Sequence, residues 1–232
     1  TGHWKQHLVW SSVCNESPEF EDLDGDGRPE LIFGSQPESR MGFLKLPGQA
    51  NTTKKWTFRP VSRPGNPMEN GTFKYYHGLG IGDLNRDGRN DVIIPHGWWE
   101  APASPGNAAW EFHAAPLART AGGTPLKGAN IYVEDLDGDG DNDLMMSSAH
   151  AHGVWWFENT GGNRSPKFRY HLVDESYSQT HALEFVDING DGVRDLVTGK
   201  RFYAHNGGDP GGRDPVLMYW YEIQKSAGQP PR

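Results

Sequence analysis

The chain has a single cysteine, Cys14, in 232 residues. No intramolecular disulfide is possible, and neither a zinc ribbon nor a haem-attachment motif can be built. No apolar run approaches the ~20 residues of a membrane span, and no stretch sustains the 3.6-residue period of an amphipathic helix. Membrane insertion and a helical bundle are thereby set aside. Positive charge is scarce as well: 22 Lys and Arg against 30 Asp and Glu give a formal net charge of −8, the wrong sign for a nucleic-acid partner. HExxH and the G-x-S-x-G elbow are both missing, which removes the zincin and serine-hydrolase readings.

What the chain has in quantity is turn formers and aromatics. Thirty Gly, 17 Pro and nine Trp suit short strands joined by many turns. Four acidic stretches punctuate the sequence: Asp22 to Glu30 (DLDGDGRPE), Asp83 to Asp91 (DLNRDGRND), Asp135 to Asp143 (DLDGDGDND) and Asp187 to Asp195 (DINGDGVRD). Their starts are 61, 52 and 52 residues apart, the signature of a repeat protein. Carboxylates or amides at the first, third, fifth and ninth positions, with glycine where the backbone must turn, form the oxygen-rich set that a hard cation such as Ca²⁺ requires. The four loops carry 14 ligand-position carboxylates, so four divalent cations would bring the molecule close to neutrality. Much of the acidity is then metal ligand.

Around each loop the sequence reads as four strand-like pieces. The second repeat runs LGIGDLN, NDVIIPH, GWWE and AWEFHAAPL, and the third runs ANIYVEDLD, NDLMMSS, GVWWFEN and KFRYHLV. The fourth has HALEFVDIN, RDLVTGK and VLMYWYEI, then passes into the polar tail at 224–232 without a fourth strand. At the amino end HWKQHLVW matches the closing strands KFRYHLV and WTFRPVS. It is expected to pair beside VLMYWYEI and seal the ring, as circular sheet arrays do to hide their edges. The fold class is all-β, and 1–232 is read as one β-propeller domain of four-stranded antiparallel blades, four of them visible.

These loops and strands resemble the FG-GAP (VCBS) repeat family, the calcium-binding blades of integrin α-subunit heads and of many secreted bacterial proteins. The resemblance covers almost the whole chain. Propellers of the family are commonly larger than the four blades seen here. The chain is either a compact ring or part of one completed by another segment or chain.

In a loop of this type the ligands are Asp22, Asp24, Asp26 and Glu30; Asp83, Asn85, Asp87 and Asp91; Asp135, Asp137, Asp139 and Asp143; and Asp187, Asn189, Asp191 and Asp195. Glu30 departs from the family aspartate, making the first loop the weakest match. The two Asn lower ligand charge and weaken their sites. An EF-hand needs an acidic twelfth residue, where this chain has Phe33, Ile94, Met146 and Thr198. A metal-free Asx-rich turn is the competing account of any one loop, and four copies in register argue against it.

Counting along the strands from these loops places other polar residues at the opposite edge of each blade, roughly 17 Å away over five residues. His77 and His181 each lie six residues before a loop. His96, His150, His152, Lys200 and Arg201 follow one by five to nine. Because inner strands line a propeller's axis, His77 and His181, with Glu16 and Asn130 at equivalent points, are expected at the channel mouth, joined by His205 from the next loop. Convergent imidazoles suit Zn²⁺ or another divalent transition metal, held by some of His77, His150, His152 and His181, or else general acid–base work. Ordinary loop histidines bonded to backbone are the alternative. Trp98, Trp99, Trp155, Trp156 and Trp220 recur at blade positions that argue for packing. Trp98, Tyr75, Tyr76 and Tyr203 are the candidates for sugar stacking.

Two functions follow. The histidine pattern is similar to that of secreted bacterial propellers and, more distantly, of aldos-2-ulose dehydratase-like enzymes. That likeness, at the level of whole blades, implies a carbohydrate lyase or dehydratase; on chemical grounds His77 or His181 would be the base, Lys200 or Arg201 would pair with an anion and Tyr76 would protonate the leaving group. The integrin-like resemblance implies instead a non-catalytic module that binds glycan or protein. Both place the protein outside the cell or in the periplasm, with Ca²⁺ in the stabilising role that disulfides would otherwise fill.

Overall fold

The computed structural model describes residues 4–106, 108–117, 120–121, 124–125, 128–162 and 164–225. Four antiparallel sheets follow one another along the chain as blades of a β-propeller. Blade one contains β1 (Glu19–Glu21), β2 (Glu30–Ser35), β3 (Arg40–Lys45) and β4 (Phe58–Pro60), and blade two contains β5 (Gly80–Gly82), β6 (Asp91–Ile94), β7 (Gly97–Glu100) and β8 (Glu111–Ala114). A hairpin of β9 (Thr120–Ala121) and β10 (Thr124–Pro125) leads to blade three, with β11 (Gly128–Glu134), β12 (Asp143–Ser148), β13 (His152–Asn159) and β14 (Phe168–Ser178). Blade four has three strands, β15 (Leu183–Val186), β16 (Asp195–Lys200) and β17 (Leu217–Tyr221). Each strand pairs with the next in sequence, so every acidic loop joins a blade's first strand to its second.

The second and third strands read as continuous apolar runs because each blade is buried on both faces. Along β6, Val92 and Ile94 enter a core shared with blade one, whereas Ile93 enters the one shared with blade three. Along β12, Leu144 and Met146 face blade two and Met145 faces blade four. The paired tryptophans split in the same way. Trp98 and Trp155 occupy one seam, and Trp99 and Trp156 serve the seams on either side of it. Inner strands of blades two and three approach so closely that a Cβ on Gly80 would sit 2.5 Å from the Ile131 carbonyl oxygen, which is why glycine stands there.

The three cores of the described residues lie between blades one and two, two and three, and three and four. None joins blade four to blade one. Accordingly Trp220 is 47% exposed and Met218 78% exposed, and the expected packing role of Trp220 is not filled. The expected closing strand is corrected too. The amino-terminal segment stays with blade one. Trp56 N–H donates to the Val9 carbonyl (3.0 Å), the Trp10 indole N–H donates to Ser35 Oγ (3.0 Å), and the Trp10 ring stacks on Phe58 at 5.2 Å. These partners outcompete β17, whose outer edge carries no further strand among the described residues. Residues 226–232 of the polar tail lie outside the described residues.

Candidate metal centre

At the edge away from the acidic loops, the four blades deliver one side chain each to a single point. His77 Nε2 lies 3.0 Å from His181 Nε2, 3.3 Å from His150 Nε2 and 3.1 Å from Glu16 Oε2. Glu16 Oε2 is also 3.6 Å from His181 Nε2, and the three imidazoles keep a ligand atom each within 4.8 Å of one another. A tetrahedral ion with bonds of ~2.0–2.1 Å separates its ligand atoms by about 3.3 Å. The observed spacings bracket that edge length.

Local structure explains the convergence. A parallel bridge between Asn15 and Tyr76, with Glu16 N–H donating to the Tyr76 carbonyl at 3.0 Å, ties the entry to blade one against the entry to blade two. His77 Nδ1 is 2.8 Å from the Tyr75 carbonyl. The carbonyl can only accept, so Nδ1 carries a proton, and in the neutral ring the Nε2 lone pair faces the cluster. His181 is held beside His150 through Gln179, a residue with positive φ (60°), whose N–H donates to the Ala151 carbonyl and whose own carbonyl accepts from His181 N–H. Burial is the largest cause lowering the pKa of both His150 and His181, the latter to about 4, with the Arg201 charge adding to the effect. Both rings are therefore neutral near pH 7 and able to ligate.

The structure also separates candidates that strand counting had grouped. His152 is not in the cluster, since its Nδ1 lies 3.2 Å from the Glu175 carbonyl. His96 is bonded to the buried Tyr76 hydroxyl at 2.7 Å. Tyr76 is thus committed inside the blade, with its pKa pushed up by burial, and is corrected as both proton donor and stacking surface. Lys200 is buried and its Nζ donates to the Arg201 carbonyl at 3.1 Å, so it is not placed to pair with a substrate anion. Trp98 is buried at 4% exposure, which removes it from sugar stacking. Blade three contributes His150 where Asn130 had been expected. Tyr75 and Tyr203 are exposed as anticipated, and Phe202, which strand counting missed, is 62% exposed with its ring stacked 5.8 Å from that of Tyr203.

Asp209 was also missed. Its carboxylate sits 3.1 Å from His150 Nδ1 and 3.0 Å from His205 Nδ1, and the His205 ring stacks on His150 at 4.7 Å. The segment carrying these groups holds Tyr203, His205 and Asn206 at φ of 58°, 48° and 55°. Left-handed backbone of this kind in non-glycine residues costs of order 1 kcal/mol each and clusters at functional sites. Two surface grooves of about 450 Å³, one along blade one by Lys45 and Trp56 and one by Trp99 and Trp110, include no member of the cluster.

The acidic loops share a common construction. The ninth residue of each is buried, and one of its oxygens accepts the N–H of the second residue: Leu23 to Glu30, Leu84 to Asp91, Leu136 to Asp143, and Ile188 to Asp195. In the last three the second oxygen accepts an N–H from the end of, or just beyond, the third strand. Burial pushes Asp91 and Asp143 up to about 7 despite these donors. In the first loop Glu30 Oε1 and Asp24 Oδ1 are buried without a partner, and Asp22, Asp24 and Glu30 bring their oxygens within 4.8 Å, as Asp135, Asp137 and Asp143 do in the third. Orphaned buried carboxylate oxygens fit a hard cation, so Glu30 does not disqualify its loop. Lys45 lies 2.5 Å from Asp24 and 2.7 Å from Asp26, and Arg89 contacts Asp87.

Sequential antiparallel blades with an acidic loop at each first turn define a β-propeller. The FG-GAP-like repeat model matches residues 22–94 and 135–198, more than half of the sequence, and the chain belongs to the FG-GAP-like repeat family. No curated protein matches it. Among solved structures it is similar to an Agrocybe aegerita lectin described as recognising non-reducing terminal N-acetylglucosamine, at 20% identity and a TM-score of 0.49, covering 87% of this chain and 51% of that one. It is also similar to a Photorhabdus luminescens Tc holotoxin pore, at 16% identity and a TM-score of 0.34, covering 91% of this chain and 12% of that one. The chain thus spans about half the length of the lectin. No helix among the described residues is long and apolar enough to cross a membrane.

Proposed function

We propose that this chain is a secreted, calcium-stabilised propeller whose His77, His150, His181 and Glu16 hold a divalent transition metal such as Zn²⁺, and that it acts on carbohydrate as a lyase or dehydratase. The observation that carries this reading is the approach of three imidazole Nε2 atoms and one carboxylate at 3.0–3.6 Å. These nitrogens stand at N–H···N hydrogen-bond distance from one another, and a cation in their midst would replace those bonds with ligation. When bound, such an ion supplies Lewis-acid stabilisation of charge beside a carbonyl or carboxyl group.

That assignment changes the roles of the chain's own groups. His77 and His181, expected as bases, become ligands. His205 takes over proton abstraction: its Nδ1 is bonded to Asp209, so its Nε2 lone pair is available, and the ring is exposed next to His150. Arg201 remains the group for an anionic substrate. Tyr75, Phe202 and Tyr203 provide exposed rings near the mouth on which a pyranose can stack. The acidic loops, at the far edge, are structural.

The test is metal analysis joined to a screen for unsaturated products by ultraviolet absorbance. Zn²⁺ bound beyond the loop Ca²⁺, lost together with turnover in His77→Ala and His181→Ala while the calcium-dependent melting curve persists, is the expected result. A protein that takes up no metal at this site refutes the reading. The exposed aromatic rings favour a second reading, glycan recognition without catalysis. It is the correct one if sugars bind, no product forms, and His77→Ala leaves affinity unchanged.

A further inference from the structure

We propose that Asp209 is the positioning residue of the metal centre, fixing His150 in the tautomer whose Nε2 lone pair faces His77 and His181. The inference rests on the metal-centre reading above. Two groups of opposite hydrogen-bonding character compete for His150 Nδ1: the Asp209 Oδ2 at 3.1 Å and the Arg201 Nη2 at 3.0 Å. A carboxylate only accepts and a guanidinium only donates. A neutral imidazole carries one proton. If Arg201 donates to Nδ1, that proton must sit on Nε2, where it blocks ligation. If Nδ1–H donates to Asp209, Nε2 is a lone pair directed at the cluster, as in the carboxylate–histidine–metal arrangement.

The surroundings favour Asp209. Its carboxylate is braced by His205 Nδ1 at 3.0 Å, and its backbone carbonyl accepts from Gly212 N–H at 2.9 Å. Arg201 has other acceptors to satisfy it, the Ala149 carbonyl at 3.3 Å and Asp209 itself at 3.6 Å. Giving up the His150 contact therefore costs Arg201 little. His150, His205 and Asp209 also bring ligand atoms together, but a second cation there would stand against the guanidinium. One carboxylate thus sets two rings, His150 toward the cluster and His205 toward the mouth. Asp209 lies three residues beyond left-handed Asn206, so placing this carboxylate gives that strained backbone a purpose.

The experiment is a double-mutant cycle on the full chain in Ca²⁺, read by Zn²⁺ calorimetry and by the visible absorption of Co²⁺, which reports the ligand set. Asp209→Ala is expected to weaken Zn²⁺ binding about 10–100-fold. Arg201→Met should recover most of that loss in the Asp209→Ala background, because no donor then forces the wrong tautomer, and should have a smaller effect on its own. Asp209→Ala binding as tightly as wild type, or Arg201→Met acting equally in both backgrounds, overturns the proposal. If Asp209→Ala loses its cooperative melting transition, Asp209→Asn keeps the shape and removes the charge. It should weaken Zn²⁺ less but in the same direction, and unchanged affinity again overturns the assignment. Wild type and His77→Ala that both fail to bind Zn²⁺ would instead bring down the metal centre itself, and this proposal with it.

Discussion

Glu19 lies on β1, and burial is the main cause that pushes its carboxyl from 4.5 up to about 7, with the charges of Glu21 and Glu184 adding to it. Glu184 belongs to β15, so this is repulsion between the first and last blades. The folded state binds the Glu19 proton more tightly than the unfolded chain does. Its contribution to stability is therefore complete below about pH 4.5 and is lost as pH rises through 7. At 1.36 kcal/mol per unit the window corresponds to a ceiling of ~3 kcal/mol, and partial exposure of the strand reduces this to about 1–2 kcal/mol. Glu19→Gln removes the charge without changing the shape. Urea unfolding should find the variant and wild type equal near pH 4.5, and the variant more stable by about 1–2 kcal/mol near pH 8. A difference of the same size at both pH values would refute the linkage, since a packing effect does not titrate. Glu184→Gln should shrink the gap by lowering the Glu19 pKa.

Removal of calcium with EGTA is expected to lower the melting temperature steeply, because each site contributes about 2.7 kcal/mol when free Ca²⁺ is ~100 times its dissociation constant; an unchanged melting curve contradicts metal in the loops. Trp155→Ala, which empties a fully buried position between blades two and three, should cost ~3–5 kcal/mol in chemical denaturation, while Trp220→Ala at the open face should stay within about 0.5 kcal/mol of wild type. Gly80→Ala drives a methyl to 2.5 Å from the Ile131 carbonyl oxygen and is expected to cost ~1–3 kcal/mol, measurable in the same unfolding experiment; wild-type stability would mean the inner strands are not so close.

The fold was legible because the acidic loops mark every blade at the same place, and because strands buried on both faces, such as DVII and DLMM, carry apolar residues at successive positions. The loops also served as a ruler. Spacings of six or seven residues from the loops put His77, His150 and His181 at one edge. What the ruler lacked was angular resolution. His150 and His152 are two residues apart, and a period of two gives such residues the same side of a strand. Only the register separates them, since His152 already pairs with Ser178 at the start of β13 while His150 lies in the preceding turn. Pattern likewise misassigned the amino-terminal segment: a strand's sequence names its face but not its neighbour.

Asp209 was illegible for a different reason. It stands in the connection between β16 and β17, where backbone conformation is set residue by residue, with Tyr203, His205 and Asn206 left-handed and no periodicity to extrapolate. The proposed metal ligands, each just outside a strand end, take their positions from the blades. The group proposed to decide which nitrogen of His150 carries the proton is supplied by a loop, and a loop can change without disturbing the four-blade frame. Chemistry in such a propeller is therefore set where the repeat breaks down. The 201–216 connection of the three-stranded fourth blade, the least repeat-like part of the described chain, is the segment on which substitutions should alter reactivity while leaving the calcium-dependent melting curve in place.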